Sequence, residues 1–263
     1  MRNIVNLLFI ALLFTGCEKV IDLDYKGNQS RLVIEGNINN EAGPYYVRIS
    51  KSIGLSESGE YPAIDNAQVM IGDDGGHSET LVPQGGGTYA TSFLEGVEGR
   101  TYTLTVVVEG QTYTARSMMP HYVPFDSLNV GQVSIGGDIE YQLIPVYTDP
   151  MVEGNNYRFV LSKNDKLFNQ HMIQNDLLRN GLVNKLRLEM DDDKLDLQPG
   201  DRVTLTMQCV DAAVALYYTT LALMGDTGPG GGTTPNNPPG NISNGALGVF
   251  SAHTVAVRSV TIP

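Results

Sequence analysis

Apolar and polar residues alternate with a period of two through most of the chain, and that period puts one face of a segment in a core and the other in solvent. Arg31–Gly36 and Tyr45–Ser50 predict two paired strands across the Asn39–Pro44 turn. Ala67–Ile71 predicts a strand running into Gly72–Gly76, where glycines supply positive φ and aspartates cap the loop. Thr88–Phe93 follows, then Thr101–Val108 and Thr112–Ala115. Between these last two, Glu109, Gly110 and Gln111 are few enough to close a tight hairpin. Further along, Ile139–Tyr147, Asn156–Leu161, Lys185–Met190 and Arg202–Val210 read as strands, as does Gly245–Phe250 before a closing strand over Thr254–Ile262.

Three segments break the alternation. Met118–Phe125 carries two prolines that forbid a regular helix or central strand, so a domain junction falls there. Ala212–Met224 is rich in Ala and Leu, is preceded by Asp211 as N-cap and stops at Gly225. That predicts a helix, apolar around most of its circumference, that packs under a sheet or lines a partner surface. Its Tyr217 and Tyr218 read as core or rim residues. Thr227–Gly240 is a Gly/Pro loop that cannot build a core. The predicted architecture is all-β, with two tandem β-sandwich domains of immunoglobulin or transthyretin type over 31–119 and 120–263. The second carries helix 212–224 and the Gly/Pro loop 225–240.

The N-terminus follows different rules. Arg2 supplies a cationic start, Ile4–Phe14 an apolar run, and small residues precede Cys17, the three parts of an export signal. The run is well short of the roughly 20 residues that a membrane-spanning helix needs. Phe14-Thr15-Gly16-Cys17 resembles a lipobox, although Phe14 stands where Leu is usual. This predicts cleavage of 1–16, lipid on Cys17 and a lipidated tether over 17–30. More than one acyl chain would hold the protein stably on a membrane. Glu18, Lys19, Asp22 and Asp24 follow the cysteine closely. They read either as a solvated spacer or, by resemblance, as the surface-export signal of Bacteroidota lipoproteins.

Charge narrows the partners. The formal net charge is −12, and loss of 1–16 would remove only Arg2 and make it one unit more negative. Such a chain avoids nucleic acid and anionic headgroups, so membrane association would come from the lipid. Only Cys17 and Cys209 occur, so lipidation of the first leaves the second without an intramolecular partner. Cys209 lies in an alternating apolar segment and reads as a buried, inert thiol.

Candidate chemistry is sparse. His77, His121, His171 and His253 are scattered, without paired metal-ligand spacing. Asp73-Asp74 and Asp191-Asp192-Asp193 could offer oxygens to calcium but lack a dedicated loop pattern, and read as hydrated turns. No G-x-S-x-G or Walker-type loop is present, and Gly85-Gly86-Gly87 reads as a turn. A carboxylate pair for glycoside hydrolysis depends on space and not on spacing, so that alternative stays open. Asp126-Ser127-Leu128 resembles an O-glycosylation acceptor pattern, with Ser127 as the acceptor. No cofactor or metal site is expected.

Several segments in order carry a family resemblance: Cys17–Asp24, Arg31–Gly36, Gly99–Val106 with Tyr113–Ala115, and Asn237–Ile242 leading to Gly245–Ala252. Together they resemble a lipoprotein family of Bacteroidota, the domain-of-unknown-function family numbered 4249. The second domain departs from that pattern in lacking a Trp near Tyr217 and Tyr218. The resemblance implies an outer-membrane lipoprotein, often encoded beside a TonB-dependent receptor, and implies no catalytic residues. The leading expectation is a non-enzymatic accessory or binding partner of such a receptor in nutrient uptake. Alternatives are a structural subunit resembling fimbrillins, with Thr254–Ile262 as an exchanged strand, and a surface hydrolase.

Overall fold

The computed structural model describes residues 30–54, 59–177, 179–190, 195–225 and 237–263. In chain order its strands are β1 (Leu32–Asn39), β2 (Tyr46–Lys51), β3 (Gln68–Asp73), β4 (Ser78–Thr80), β5 (Val82–Gly85), β6 (Thr88–Ala90), β7 (Thr101–Val108) and β8 (Gln111–Met118). Then come β9 (Phe125–Ile135), β10 (Asp138–Thr148), β11 (Asn156–Lys163), β12 (Lys166–Leu167), β13 (Met172–Asn175), β14 (Val183–Asn184) and β15 (Arg202–Val210). Helix α1 (Ala212–Gly225) and β16 (Leu247–Thr261) complete the described set. The chain is mostly strand, and its sheets stack as β-sandwiches.

Alternation explains the first sandwich directly. In β7, Tyr102, Leu104, Val106 and Val108 point into the core while the threonines between them stay half-exposed. Strand β7 pairs with β8 across Glu109 and Gly110, both at positive φ (51° and 78°), a turn whose twist matches the strands it joins. One sheet runs β4-β3-β7-β8, and the facing one runs β1-β2-β6-β5. Ile34, Ile38, Val47, Ile49, Tyr89 and Leu104 are among the residues that fill the space between them.

The second sandwich is attached through one strand. Leu247–His253 of β16 runs parallel to Val33–Asn39 of β1, while Thr254–Thr261 runs antiparallel to β15. A single sheet therefore passes through both sandwiches, in the order β12-β11-β15-β16-β1-β2-β6-β5 with β13 also on β11. The facing sheet of the second sandwich is β14-β10-β9.

Sequence pattern suggested two separate segments here, both after the junction near residue 119. The backbone instead makes one strand, with Phe250 and Ala252 in the first core and Ala256 and Ile262 in or beside the second. Close approach to β1 depends on Gly248, at φ +98°, where a Cβ would lie 2.1 Å from the Ile34 carbonyl oxygen.

Two further differences have simple causes. Lys185–Met190 alternates like a strand, with Leu188 buried, but only the Leu188 N–H reaches β10, at 2.8 Å from the Leu143 oxygen. It is an extended segment without a ladder. Conversely β9 was not foreseen, because Asp126, Gly131 and Gln132 dilute its apolar pattern; its register is imposed by β10 across Gly136-Gly137.

The helix forms where composition predicts it. Asp211 Oδ1 accepts from Val214 N at 2.9 Å, the expected N-cap. Its other oxygen accepts from Ser117 Oγ (2.6 Å) and Met118 N (3.1 Å), so the same carboxylate ties α1 to β8 of the first sandwich. Val214 and Ala215 seal a small third core with Val210, Val249 and Ile173. Among the described residues no helix is long and apolar enough to cross a membrane.

Candidate functional site

The strand period sends Tyr157, Phe159 and Leu161 of β11 into the second core, and therefore turns Arg158 to the opposite face, under α1. Gln208 on β15 is its register partner and shares that face. Arg158 Nη1 donates to Gln208 Oε1 at 2.7 Å, and its Cζ lies 3.9 Å from the centre of the Tyr218 ring, a cation–π contact from α1.

Gln208 continues the chain of contacts, its Nε2 lying 3.1 Å from His253 Nε2, while His253 Nδ1 lies 2.9 Å from Ser251 Oγ. An amide nitrogen can only donate, so Nε2 of the imidazole is the acceptor and the ring proton sits on Nδ1. Burial, and after it the charge of Arg158, push His253 down to about 4, so it is neutral at pH 7. His171 is held below its ordinary value by the same two causes, and its ring stacks 5.3 Å from that of Tyr218. Two histidines far apart in sequence thus meet around one arginine. No ion pair of Arg158 exists among the described residues, and its buried Nε has no hydrogen-bond partner.

Beside this cluster opens a cleft of about 940 Å³. Its walls are Phe168–Asn175, the extended segment 184–190 and the last turns of α1. His171 and Ile173, the cross-strand neighbour of Arg158, belong to that lining, so the cleft adjoins the arginine cluster. Apolar Leu186 and Leu223 share the lining with the amides of Gln174 and Asn175. Leu177 and Leu223, both more than 70% exposed (72% and 71%), stand at its rim.

A second buried polar group lies behind the cleft. Asp149 is 2% exposed, accepts from the Tyr157 hydroxyl through Oδ1, and has no partner for Oδ2. Burial pushes its carboxyl above the ordinary carboxylate range, and the nearby Asp176 adds to the shift against the opposing Tyr157 bond. Burial and Asp149 likewise raise the Tyr157 hydroxyl. Asp176 itself closes a turn, accepting from Gly154 N (2.6 Å) and Asn155 N (2.8 Å).

The residues singled out from sequence fall in various places. Cys17, the tether to residue 29, Asp191–Asp193 and loop residues 226–236 lie outside the described residues. Ser127 is half-buried on β9, its Oγ 3.1 Å from Asn129 Oδ1. Cys209 packs in the second core, and burial raises its thiol. His121 is exposed beside Glu98 at 3.6 Å. Asp73 accepts from His77 N (2.8 Å) and Arg100 Nη1 (2.5 Å), and Asp74 Oδ2 accepts from Thr101 N (3.2 Å). That pair braces a turn. Gly86 and Gly87 form the turn between β5 and β6.

Sequence reasoning missed Arg158 and Gln208. A positive residue between two aromatics of a strand was legible as outward-facing, but that α1 would cover it depends on tertiary packing. No curated protein matches the chain. The family model described as "Domain of unknown function (DUF4249)" matches residues 18–259, and with nearly the whole chain matched, the protein belongs to that family.

Proposed function

We propose that the protein is a non-enzymatic binding protein of the bacterial cell envelope, held to the outer membrane by lipid on Cys17 and working beside a TonB-dependent receptor in nutrient uptake. The observation that carries the binding role is the cleft between α1, β13 and segment 184–190, with exposed leucines at its rim. Clefts of roughly 300–1,000 Å³ with an apolar lining and a few oriented polar groups are where ligands are held. Exposed leucines around such an opening are the kind of surface that a partner covers. The export-type N-terminus and the lipobox-like Phe14–Cys17 support the anchor. The family resemblance supports the receptor, the Bacteroidota source and the outer-membrane location.

A fibre subunit that donates its last strand fits the geometry less well. Strand β16 is hydrogen-bonded along one edge to β1 and along the other to β15, and its withdrawal would open both cores. A hydrolase would want carboxylates facing each other across the cleft; Glu189 is the one acidic residue among the described lining.

The test is to express the full chain in its own host, purify it gently in detergent and identify what accompanies it. Copurification of a TonB-dependent receptor, with lipid found on Cys17, is the expected result. A ladder of self-polymers without receptor, or a chain processed without lipid, overturns the reading.

A further inference from the structure

Arg158 presents an unanswered charge beneath α1. Its Nη1 is committed to Gln208, its face is covered by Tyr218, and its buried Nε has no partner. A buried donor without a partner is rare in a folded protein, and it marks a place where a bound group can supply the acceptor. Here the donor is charged, which makes leaving it unpaired costlier still. Its neighbours among the described residues supply no further acceptor: the ring of Tyr218 and the neutral His253 stand around it, and Gln208 gives one carbonyl only. This occurs in a chain with 29 acidic residues against 17 basic ones, where a carboxylate partner would be easy to provide.

The unpaired edge of the guanidinium defines the complementary group. The guanidinium edge turned away from Gln208 carries Nε beside Nη2, whose two N–H bonds run parallel and match the two oxygens of a carboxylate. Ile173, the cross-strand neighbour of Arg158, and His171, whose ring centre lies 5.3 Å from that of Tyr218, both line the cleft. Leucines along the cleft would take an apolar body.

We propose that the part of the cleft next to Arg158 is a carboxylate-recognition site, in which Arg158 receives the acid group of a small organic anion whose apolar body lies along Leu186, Leu221 and Leu223, with His171 beside the acid group. The assignment rests on the binding role argued above and gives that role a ligand class. Rotation of the His171 or Tyr218 ring is the movement that admits the acid group. Gln208 is the positioning residue, since its carbonyl oxygen fixes the guanidinium plane.

The experiment follows the imidazole C–H signals of His171, assigned by comparison with His171→Gln, in the full chain titrated with hexanoate, hexanamide or inorganic phosphate. Hexanoate is expected to shift these signals saturably, with hexanamide weaker by at least about tenfold because it lacks the charge. Phosphate, lacking the apolar body, is expected to bind more weakly than hexanoate. Gln208→Glu supplies Arg158 with an internal carboxylate in nearly the same shape, and should weaken hexanoate by about tenfold or more while the circular dichroism spectrum stays unchanged. Equal responses to acid and amide, phosphate binding as tightly as hexanoate, or undiminished hexanoate binding by Gln208→Glu would each overturn the assignment. The receptor question is read separately. An acid preference without receptor copurification removes the partner and keeps the site, and copurification without an acid preference does the reverse.

Discussion

Asp73 in the first sandwich and Asp149 in the second are hidden from solvent to a similar degree, yet their surroundings treat them oppositely. Burial pushes Asp73 up, but the His77 amide and the Arg100 guanidinium outweigh it and hold the carboxyl below its ordinary value. Asp149 receives one hydroxyl and no cation, and burial holds it above that value. The same contrast runs through both units. Buried Glu79 in the first sandwich accepts from three backbone amides, Ser92, Phe93 and Leu94, whereas in the second sandwich, among the described residues, Asp149 has no cation and Arg158 no anion. Nor are these two brought together to answer each other. Unmatched buried charge is costly to stability, and folded chains tolerate it chiefly where a site requires it. Under the proposed binding role, the first sandwich supplies stability and the second supplies the site.

The strongest challenge to that contrast is whether the units are separable at all. Phe250 is fully buried in the first core but lies on the strand that the second sandwich also uses. Phe250→Ala should cost about 3–5 kcal/mol and lower a single calorimetric transition for the whole chain, because β16 must leave both sheets together. Two resolved transitions, of which one moves, would show two independently stable sandwiches. The contrast would then be one between separate domains.

Next in size is Asp73→Asn, which leaves Arg100 facing an amide. A charge-assisted hydrogen bond of this kind contributes roughly 2 kcal/mol, so urea unfolding at pH 7 should show a loss of that order. The folded value is depressed, so the contribution is present above the unfolded value and is lost as pH falls through the folded one. Wild type and variant should therefore converge on acidification below the ordinary carboxylate range. A constant gap would mean that the turn is held by shape and not by charge.

The first sandwich was largely legible in the sequence because its information is local. Alternation in β7, the Glu109-Gly110 turn and the Gly72–Gly76 turn each announce themselves within ten residues. The helix was legible for the same reason, through Asp211 and the Ala/Leu run. The second sandwich was less so: β9 depends on its partner for register, and Lys185–Met190 has the strand pattern without the ladder. The fusion through β16 was not visible at all, since nothing in Leu247–Thr261 says that its two halves face different cores. The candidate site was the least legible part. Arg158, His171, Gln208 and His253 come from four separate segments, and the pairing of β11, β15 and β16 together with the packing of α1 makes them neighbours.

Asp149→Asn sharpens the contrast by its sign. Asparagine keeps an oxygen for the Tyr157 hydroxyl and removes the charge that burial opposes, while its amide N–H groups take the partnerless Oδ2 position, so a net gain of no more than about 1 kcal/mol is expected at pH 7. Because the folded carboxyl is raised, the native state holds its proton more tightly than the unfolded chain. Wild-type stability at this site is therefore full below the unfolded value and is lost as pH rises through the raised folded one. The advantage of the variant should vanish toward that acidic limit, where Asp149 is protonated in both states. Chemical denaturation at several pH values reads this directly. A loss at pH 7 larger than the cost of burying the new unpaired amide N–H groups, about 1–3 kcal/mol, would place a cation near Asp149 in solution and end the parallel with Arg158.

Leu223→Ser has the smallest expected effect on folding and tests what the second sandwich gains from its looser construction. Leu223 is 71% exposed on the last turns of α1, at the rim of the cleft. An exposed side chain removed from a helix end changes stability by no more than about 0.5 kcal/mol, so the urea midpoint should hardly move. Binding should respond differently. If the leucine contributes apolar contact only when the cleft is filled, hexanoate should weaken several-fold, since a single buried apolar side chain is worth roughly 1.5–3 kcal/mol at full burial and this one would be covered in part. A variant that unfolds more easily without changing hexanoate affinity would show that Leu223 is already packed in the free protein. The exposed rim would then belong to the stability side of the comparison, and the contrast would narrow to the two unmatched charges.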